Sequence, residues 1–177
     1  TLLLGRIINL PIPEFMENVE TDMIPSISLV MENIIPSSLT KNSLTKMLQN
    51  DILVVKQLGC QLLIFAFQKL IKILALYDRK GWNSSKSSIN TSFFNNIPDL
   101  NIIVNTLNQV YINHKDNKMI LLSLTIILKY HSQCFPNFFS VTLPSKNIYQ
   151  DIMSKKSFNS VELTILDNFL QFQEFNS

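Results

Sequence analysis

The segment from Ile52 to Tyr77 constrains the fold more than any other part of the chain, because a helix built from it is apolar on almost every side. Its polar residues recur at steps of four and seven, which places them in one narrow stripe of a helix with 3.6 residues per turn. They are Gln57, Gln61, Gln68 and Lys72. The other faces need cover from neighbouring helices, and stacked helical pairs supply it on three sides. We therefore predict that only the polar stripe faces solvent or a partner.

Length and composition agree with a helical chain that buries a core. The chain has 177 residues, of which 46% are hydrophobic. Proline and polar clusters divide it into apolar segments with helical spacing, and no stretch alternates strictly enough to predict a sheet. We predict an all-α fold of the HEAT- or armadillo-like kind, an α-solenoid fragment. Because the sequence opens on Thr1 and runs at once into an apolar segment, residues 1–177 are expected to form one helical-repeat segment of a longer chain.

Capping residues and glycines predict where the first helices begin and end. Ser37 or Ser38 is a candidate cap for a short helix, and Asp51 is a candidate cap for the long helix that follows. Gly59 lies inside the long helix, where glycine costs about 1 kcal/mol relative to alanine in an exposed setting. A close approach by a neighbouring backbone would explain its presence, and the alternative is a glycine that is tolerated without a structural purpose. Gly81 is predicted to end the long helix.

The second half of the chain shows a polar stretch followed by further helices. Residues 82–96, WNSSKSSINTSFFNN, have the composition of a loop, and we predict a flexible polar loop there. Ser160 with Leu163 lacks the Glu or Gln of a capping box. The predicted helices begin after Pro98 and Asp99 and then cover Lys118 to His131, Ser145 to Met153, and Ser160 to Phe172.

Charge and hydropathy favour neither a membrane span nor nucleic-acid binding by overall charge. Lys56, Lys69 and Lys72 interrupt the long apolar segment, so we predict no span of the roughly 20 apolar residues that a bilayer needs. A net charge of +2 is too mild for a strongly basic surface, although it permits a local contact. The candidate residues for contact with RNA or a partner are Lys146, Lys155 and Lys156.

The sequence lacks the motifs of nucleotide-dependent and hydrolytic enzymes. Glycine occurs only at Gly5, Gly59 and Gly81, so the chain contains neither a P-loop nor a dinucleotide-binding fingerprint. A Gly-x-Ser-x-Gly nucleophile elbow is also absent. We predict no catalytic residue, no cofactor and no small-molecule substrate.

Three groups of residues invite a functional interpretation, and each has a simpler structural one. His131 and Cys134 could share a metal with Cys60 and His114, but their spacing matches no zinc module, so we expect a helix-terminal histidine and reduced core thiols. Glu14, Glu17, Glu20 and Asp22 form an acidic group that we place in a solvated loop. Five phenylalanines could stack on bases, although aromatic residues near helix ends more often fill corners of a core. They are Phe93, Phe94, Phe135, Phe138 and Phe139.

The packing motifs between Ile34 and about Phe158 resemble a known family. They include Ile34-Ile35-Pro36-Ser37, Leu44-Thr45-Lys46, Leu48-Gln49, Leu53-Val54-Val55-Lys56, Gln68-Lys69-Leu70, Ile97-Pro98-Asp99-Leu100 and Lys129-Tyr130-His131. They are similar to the N-terminal region of the nucleolar pre-ribosomal-associated protein 1 family, very large helical-repeat factors in early assembly of the large ribosomal subunit. Residues 82–96 match no part of that pattern.

The resemblance implies a non-catalytic helical scaffold that acts in the nucleolus, hence the nucleus, during pre-rRNA processing. Its implied partners are other ribosome assembly factors, together with pre-rRNA or small nucleolar ribonucleoproteins. An alternative from the same fold logic is a helical-repeat adaptor for trafficking or nuclear transport. A third, less favoured hypothesis is part of a helical enzyme whose site is completed by segments elsewhere.

Overall fold

The computed structural model describes residues 2–18, 23–136, 146–154 and 157–174, and every regular element in these ranges is an α-helix. The helices are α1 (Leu2–Ile8), α2 (Glu14–Asn18), α3 (Ile27–Ile34), α4 (Lys41–Leu48), α5 (Leu53–Lys80), α6 (Asn83–Asn96), α7 (Leu100–Asn113), α8 (Lys118–Cys134), α9 (Lys146–Met153) and α10 (Ser160–Glu174). The prediction of an all-α fold is confirmed.

The long helix α5 lies at the centre of the fold. It packs against α1, α3, α4, α6 and α8, and its residues Leu63 and Phe67 are completely buried. Within the described ranges, α5 is the one helix long and apolar enough to cross a bilayer by length and composition, and 56% of its most apolar window is buried inside the fold. Contact with neighbouring helices therefore accounts for the hydropathy of this segment.

Three consecutive helical pairs lie side by side. α4 pairs with α5, α7 with α8, and α9 with α10. The second helices are neighbours, since α8 packs between α5 and α10. The first helices are neighbours too, since α4 contacts α7 and the Tyr111 hydroxyl of α7 donates to Asp151 of α9.

The helix caps differ from those predicted. The amide of Leu39 donates to the carbonyl of Pro36 at 2.7 Å, so the chain turns through the two predicted serines and enters α4 only after Thr40. The Thr40 hydroxyl accepts the cap hydrogen bond from the Ser43 amide at 3.2 Å. The assignments of Ser37 and Ser38 as caps are therefore wrong. So is that of Asp51, because Ile52 occupies the cap position of α5 and makes no side-chain cap bond.

Residues 83–96 form helix α6, where the composition predicted a loop. Two apolar residues four positions apart, Ile89 and Phe93, are completely buried, and α6 packs against α3 and α5. The ring of Phe93 meets that of Phe67 edge to face, with centroids 5.1 Å apart. Burial of Ile89 and Phe93 outweighs the low helix propensity of serine and asparagine. The loop prediction is therefore wrong because it depended on this propensity alone.

Both glycines of the α5 region behave as predicted. Gly81 adopts φ 74°, and its amide and that of Trp82 donate to the last carbonyls of α5, so the left-handed residue ends the helix. At Gly59, a Cβ atom would lie 2.9 Å from Cβ of Met47 in α4. Glycine is needed here because α4 crosses α5 at close range.

Candidate functional site

Part of the polar stripe of α5 is covered by α8 instead of facing solvent. Nε2 of Gln57 donates to the Ser123 hydroxyl at 3.0 Å, and Nε2 of Gln68 donates to the Tyr130 hydroxyl at 3.3 Å. Two of the four predicted residues thus bind α8, and only Lys72 is exposed, whereas Gln61 is half-buried. The prediction of a stripe free for solvent or a partner is correct for Lys72 and wrong for the two glutamines that join α5 to α8.

Two lysines of α5 are buried, which the sequence pattern did not indicate. The ammonium group of Lys56 donates to the backbone carbonyl of Leu48 at 2.8 Å and so satisfies the C-terminal end of α4. Lys69 is 4% exposed and lies against the loop that follows α1. Burial lowers the pKa of both ammonium groups, because it disfavours the charged form.

A charged cluster joins α7 to α9. The carboxylate of Asp151 accepts hydrogen bonds from the Tyr111 hydroxyl and from Nζ of Lys115, the latter at 2.7 Å. Nζ of Lys115 also lies 5.0 Å from the centre of the Tyr111 ring. The hydrogen bond to Asp151 raises the pKa of Lys115, while burial and then the same carboxylate raise the pKa of Tyr111. The cluster therefore links α9 to the end of α7.

Glu162 holds the start of α10 against α8. One of its carboxylate oxygens accepts from Nζ of Lys118 at 2.8 Å, and its side chain is only 6% exposed. The other oxygen accepts from the Asn159 amide at 3.1 Å, while Oδ1 of Asn159 accepts from the Glu162 amide at 2.9 Å. This is a capping box, which the pattern beginning at Ser160 does not reveal. The Asn-x-x-Glu spacing one residue earlier is the signal that finds it.

The predicted contact lysines are only partly covered by the structure. Lys146 is the first residue of α9. Lys155 and Lys156 lie outside the described residues. These three residues stay a prediction.

The histidines and cysteines considered as metal ligands lie in different surroundings. His131 is buried among aromatic rings, 5.0 Å from Phe135 and 6.2 Å from Phe67 between ring centroids, and burial lowers its pKa to about 4. Cys60 and Cys134 are buried free thiols whose pKa values burial raises to about 12. Among the described residues, no three His, Cys, Asp or Glu side chains could hold a metal ion together.

The described members of the acidic group lie on the surface, and the described phenylalanines belong to the core or pack against it. Glu14 and Glu17 lie exposed on the short helix α2 instead of in the predicted loop, while Glu20 and Asp22 fall outside the described residues. Phe93 and Phe135 belong to the buried core, and half-buried Phe94 packs against it. Phe138 and Phe139 also lie outside the described part of the chain.

Comparison with known proteins finds a relative that aligns with the whole chain. No protein-family model and no solved structure matches the chain. All 177 residues align at 51% identity with Nucleolar pre-ribosomal-associated protein 1 of Saccharomyces cerevisiae, and the chain spans 10% of the length of that protein. The resemblance predicted from the packing motifs is thereby confirmed over the whole chain. Over its whole length, this chain is therefore similar to the N-terminal region of Nucleolar pre-ribosomal-associated protein 1.

Proposed function

We propose that this chain is a non-catalytic helical scaffold that acts in the nucleolus during early assembly of the large ribosomal subunit. The observation that carries the proposal is the 51% identity, over the full chain, to a protein whose name describes it as nucleolar and pre-ribosomal-associated. Because the chain spans 10% of that protein, the role proposed here is that of one segment within a longer scaffold. Residues 1–177 form a single structural unit in this proposal.

The contacts between helical pairs support an α-solenoid as the architecture of the scaffold. α5, α8 and α10 are joined side by side by the hydrogen bond of Gln57 to Ser123 and by that of Asn168 to Thr125. α4, α7 and α9 form the second row. Since each pair contacts the next through equivalent helices, further pairs can extend both rows, as in HEAT- and armadillo-like repeats.

The polar groups of the fold support a structural role over a catalytic one. Asp151 accepts a hydrogen bond from Tyr111 of α7, and Glu162 accepts one from Lys118 of α8. The pKa of His131 is lowered among aromatic rings, which suits a neutral core residue. These groups connect helices in the manner expected of a scaffold, whose work is to hold partners.

We propose pre-rRNA, small nucleolar ribonucleoproteins and other assembly factors as partners, with no cofactor. Lys146, Lys155 and Lys156 are proposed as contact residues, since lysines bind phosphate as point charges. Ultraviolet crosslinking of intact complexes, followed by mass spectrometry, tests them directly. Crosslinked nucleotides near residues 146–156 are expected, and their confinement to other parts of the chain contradicts this assignment.

Affinity purification tests the function as a whole. The full-length parent protein, tagged and purified in two forms, with and without residues 1–177, is compared by mass spectrometry and by sequencing of the bound RNA. The complete form is expected to recover early large-subunit precursors, and removal of this segment to lose a subset of the assembly factors. Recovery of trafficking or nuclear-transport complexes in place of pre-ribosomal particles refutes the proposal and favours the adaptor alternative.

A further inference from the structure

Two adjoining pockets lie between α1 and the middle of α5. The first has a volume of about 20 Å³ and is bounded by residues 8–12 on one side and by Phe65, Gln68, Lys69 and Lys72 on the other. The second has a volume of about 290 Å³, and its walls are mainly apolar. It is lined by Gly5, Arg6, Asn9, Leu58, Gln61, Leu62 and Phe65. Asn9 and Phe65 line both pockets, so the two adjoin in one depression of the surface between α1 and α5.

The smaller pocket concentrates positive charge. Lys69 and Lys72, one turn apart on α5, both line it, and no carboxylate lies within 4.0 Å of either ammonium group in the described part of the chain. Lys69 is 96% buried, since only 4% of its surface is exposed. The aliphatic part of the Lys69 side chain packs along α1, which explains why Lys69 is buried. It does not explain why the second ammonium group, that of Lys72, lies beside it. Two neighbouring like charges repel each other, and an anion between them relieves the repulsion.

The larger pocket has the features of a surface for a nucleobase. It offers the half-buried aromatic ring of Phe65, on which a base can stack. The amide groups of Gln61 and Asn9 supply donors and acceptors for base edges, and the guanidinium group of exposed Arg6 is a further stacking plane. A phosphorylated serine or threonine has no flat ring to place there, and the phenyl ring of phosphotyrosine has no polar edge for the amide groups of Gln61 and Asn9, so the combination favours a nucleotide.

We infer that this depression binds one nucleotide of single-stranded RNA, with a backbone phosphate between Lys69 and Lys72 and its base against Phe65. The small volume beside the lysines admits phosphate oxygens and excludes a base. The inference rests on the proposed association with pre-ribosomal RNA, and it assigns the contact to α1 and α5, far along the chain from Lys146, Lys155 and Lys156.

Fluorescence anisotropy with labelled single-stranded oligouridine tests the inference on the complete 177-residue chain over a series of salt concentrations. The variants are Lys69→Gln, Lys72→Gln and Phe65→Leu, and the control is Lys46→Gln, which removes the same charge from an exposed position on α4. Each pocket lysine variant is expected to reduce the slope of log K against log salt by about 0.7, the value for one phosphate contact on a single strand. Phe65→Leu is expected to weaken binding about fivefold or more, the low end of base–aromatic stacking.

The outcomes separate binding from folding and from the wider function. Thermal melts followed by circular dichroism identify any variant that unfolds, and Lys72, being exposed, keeps the test valid if Lys69→Gln unfolds. Binding by Lys72→Gln equal to that of the Lys46→Gln control overturns the inference. Equal affinity for double-stranded RNA, or binding of a phosphoserine peptide without binding of oligouridine, also overturns it. If the parent protein still recovers pre-ribosomal particles in that case, the proposed function stands and only this site is wrong.

Discussion

Replacing Gly59 by alanine is expected to destabilise the protein, although the same change stabilises most helices. Alanine is favoured over glycine in a helix interior by about 1 kcal/mol. At this position, however, the new Cβ lies 2.9 Å from Cβ of Met47 and 3.5 Å from its carbonyl carbon. Neither atom is the mobile end of a side chain, so α4 must move away from α5. Overpacking of this kind costs about 1 to 3 kcal/mol, which leaves a net loss of about 1 kcal/mol.

Urea denaturation followed by circular dichroism measures this loss, and the chain offers a matched control. A Cβ atom at Gly5, in the interior of α1, would lie 3.7 Å from the Phe65 ring and 4.0 Å from Leu62, which are ordinary van der Waals contacts. Gly5→Ala should therefore raise the urea midpoint, while Gly59→Ala should lower it. The two variants make the same chemical change on helices and differ mainly in the room available.

A double-mutant cycle identifies the cause of the loss. Met47→Gly removes the atom that the new Cβ meets, so the double variant with Gly59→Ala should be more stable than the sum of the single effects predicts. A Gly59→Ala variant that is as stabilised as Gly5→Ala refutes the close approach of α4 and α5. An additive cycle refutes Met47 as its cause.

Three further predictions concern the core, the response to pH and the end of α5. Phe67→Ala should lower the free energy of unfolding, measured by urea denaturation, by about 3 to 5 kcal/mol, and Gln61→Ala should lower it by less than about 0.5 kcal/mol. Equal and small effects of the two substitutions contradict a central position of α5. Burial lowers the pKa of His131 from 6.5 to about 4, so the folded protein binds fewer protons than the unfolded chain between these values. The contribution of neutral His131 to the free energy of unfolding is complete above about pH 6.5 and falls by about 3 kcal/mol as the pH drops from there through 4. Urea denaturation at several pH values measures this fall. A His131→Phe variant whose free energy of unfolding keeps the same pH dependence contradicts it. Gly81→Ala forces a side chain into the left-handed region and should lower the Tm, at a cost of about 1 kcal/mol, and an unchanged Tm argues against that backbone geometry.

Local patterns predicted the helices well because apolar spacing and helix ends are properties of short segments. The buried face of α7, with Ile103, Val104 and Leu107, follows its sequence period, and the end of α5 follows from Gly81. The caps were less predictable, because several serines, asparagines and aspartates compete near each helix start. At α4, the turn between Pro36 and Leu39 makes Thr40 the cap instead of Ser37 or Ser38. The backbone hydrogen bond of that turn cannot be predicted from the residue types.

The candidate site was harder to predict because it is formed by side chains that are distant along the chain. Nothing local distinguishes Lys69, which is buried beside α1, from exposed Lys72 three residues later. Likewise, Gln57 meets Ser123 across 66 residues of sequence. Spacing placed these residues on α5, but only the packing of α1 and α8 showed which of them face a pocket, a partner helix or solvent.

The sequence by itself determined that the chain is all-helical, that Ile52 to Tyr77 lies at its centre, and that it resembles a family of pre-ribosomal proteins. These conclusions depend on apolar content and period, which each segment carries independently of its neighbours. The tertiary structure decided that residues 83–96 are helical, that half of the polar stripe joins α5 to α8, and that two lysines share a pocket with α1. Such outcomes depend on which surfaces meet, because burial energy outweighs local propensity only once a neighbouring helix provides the contact.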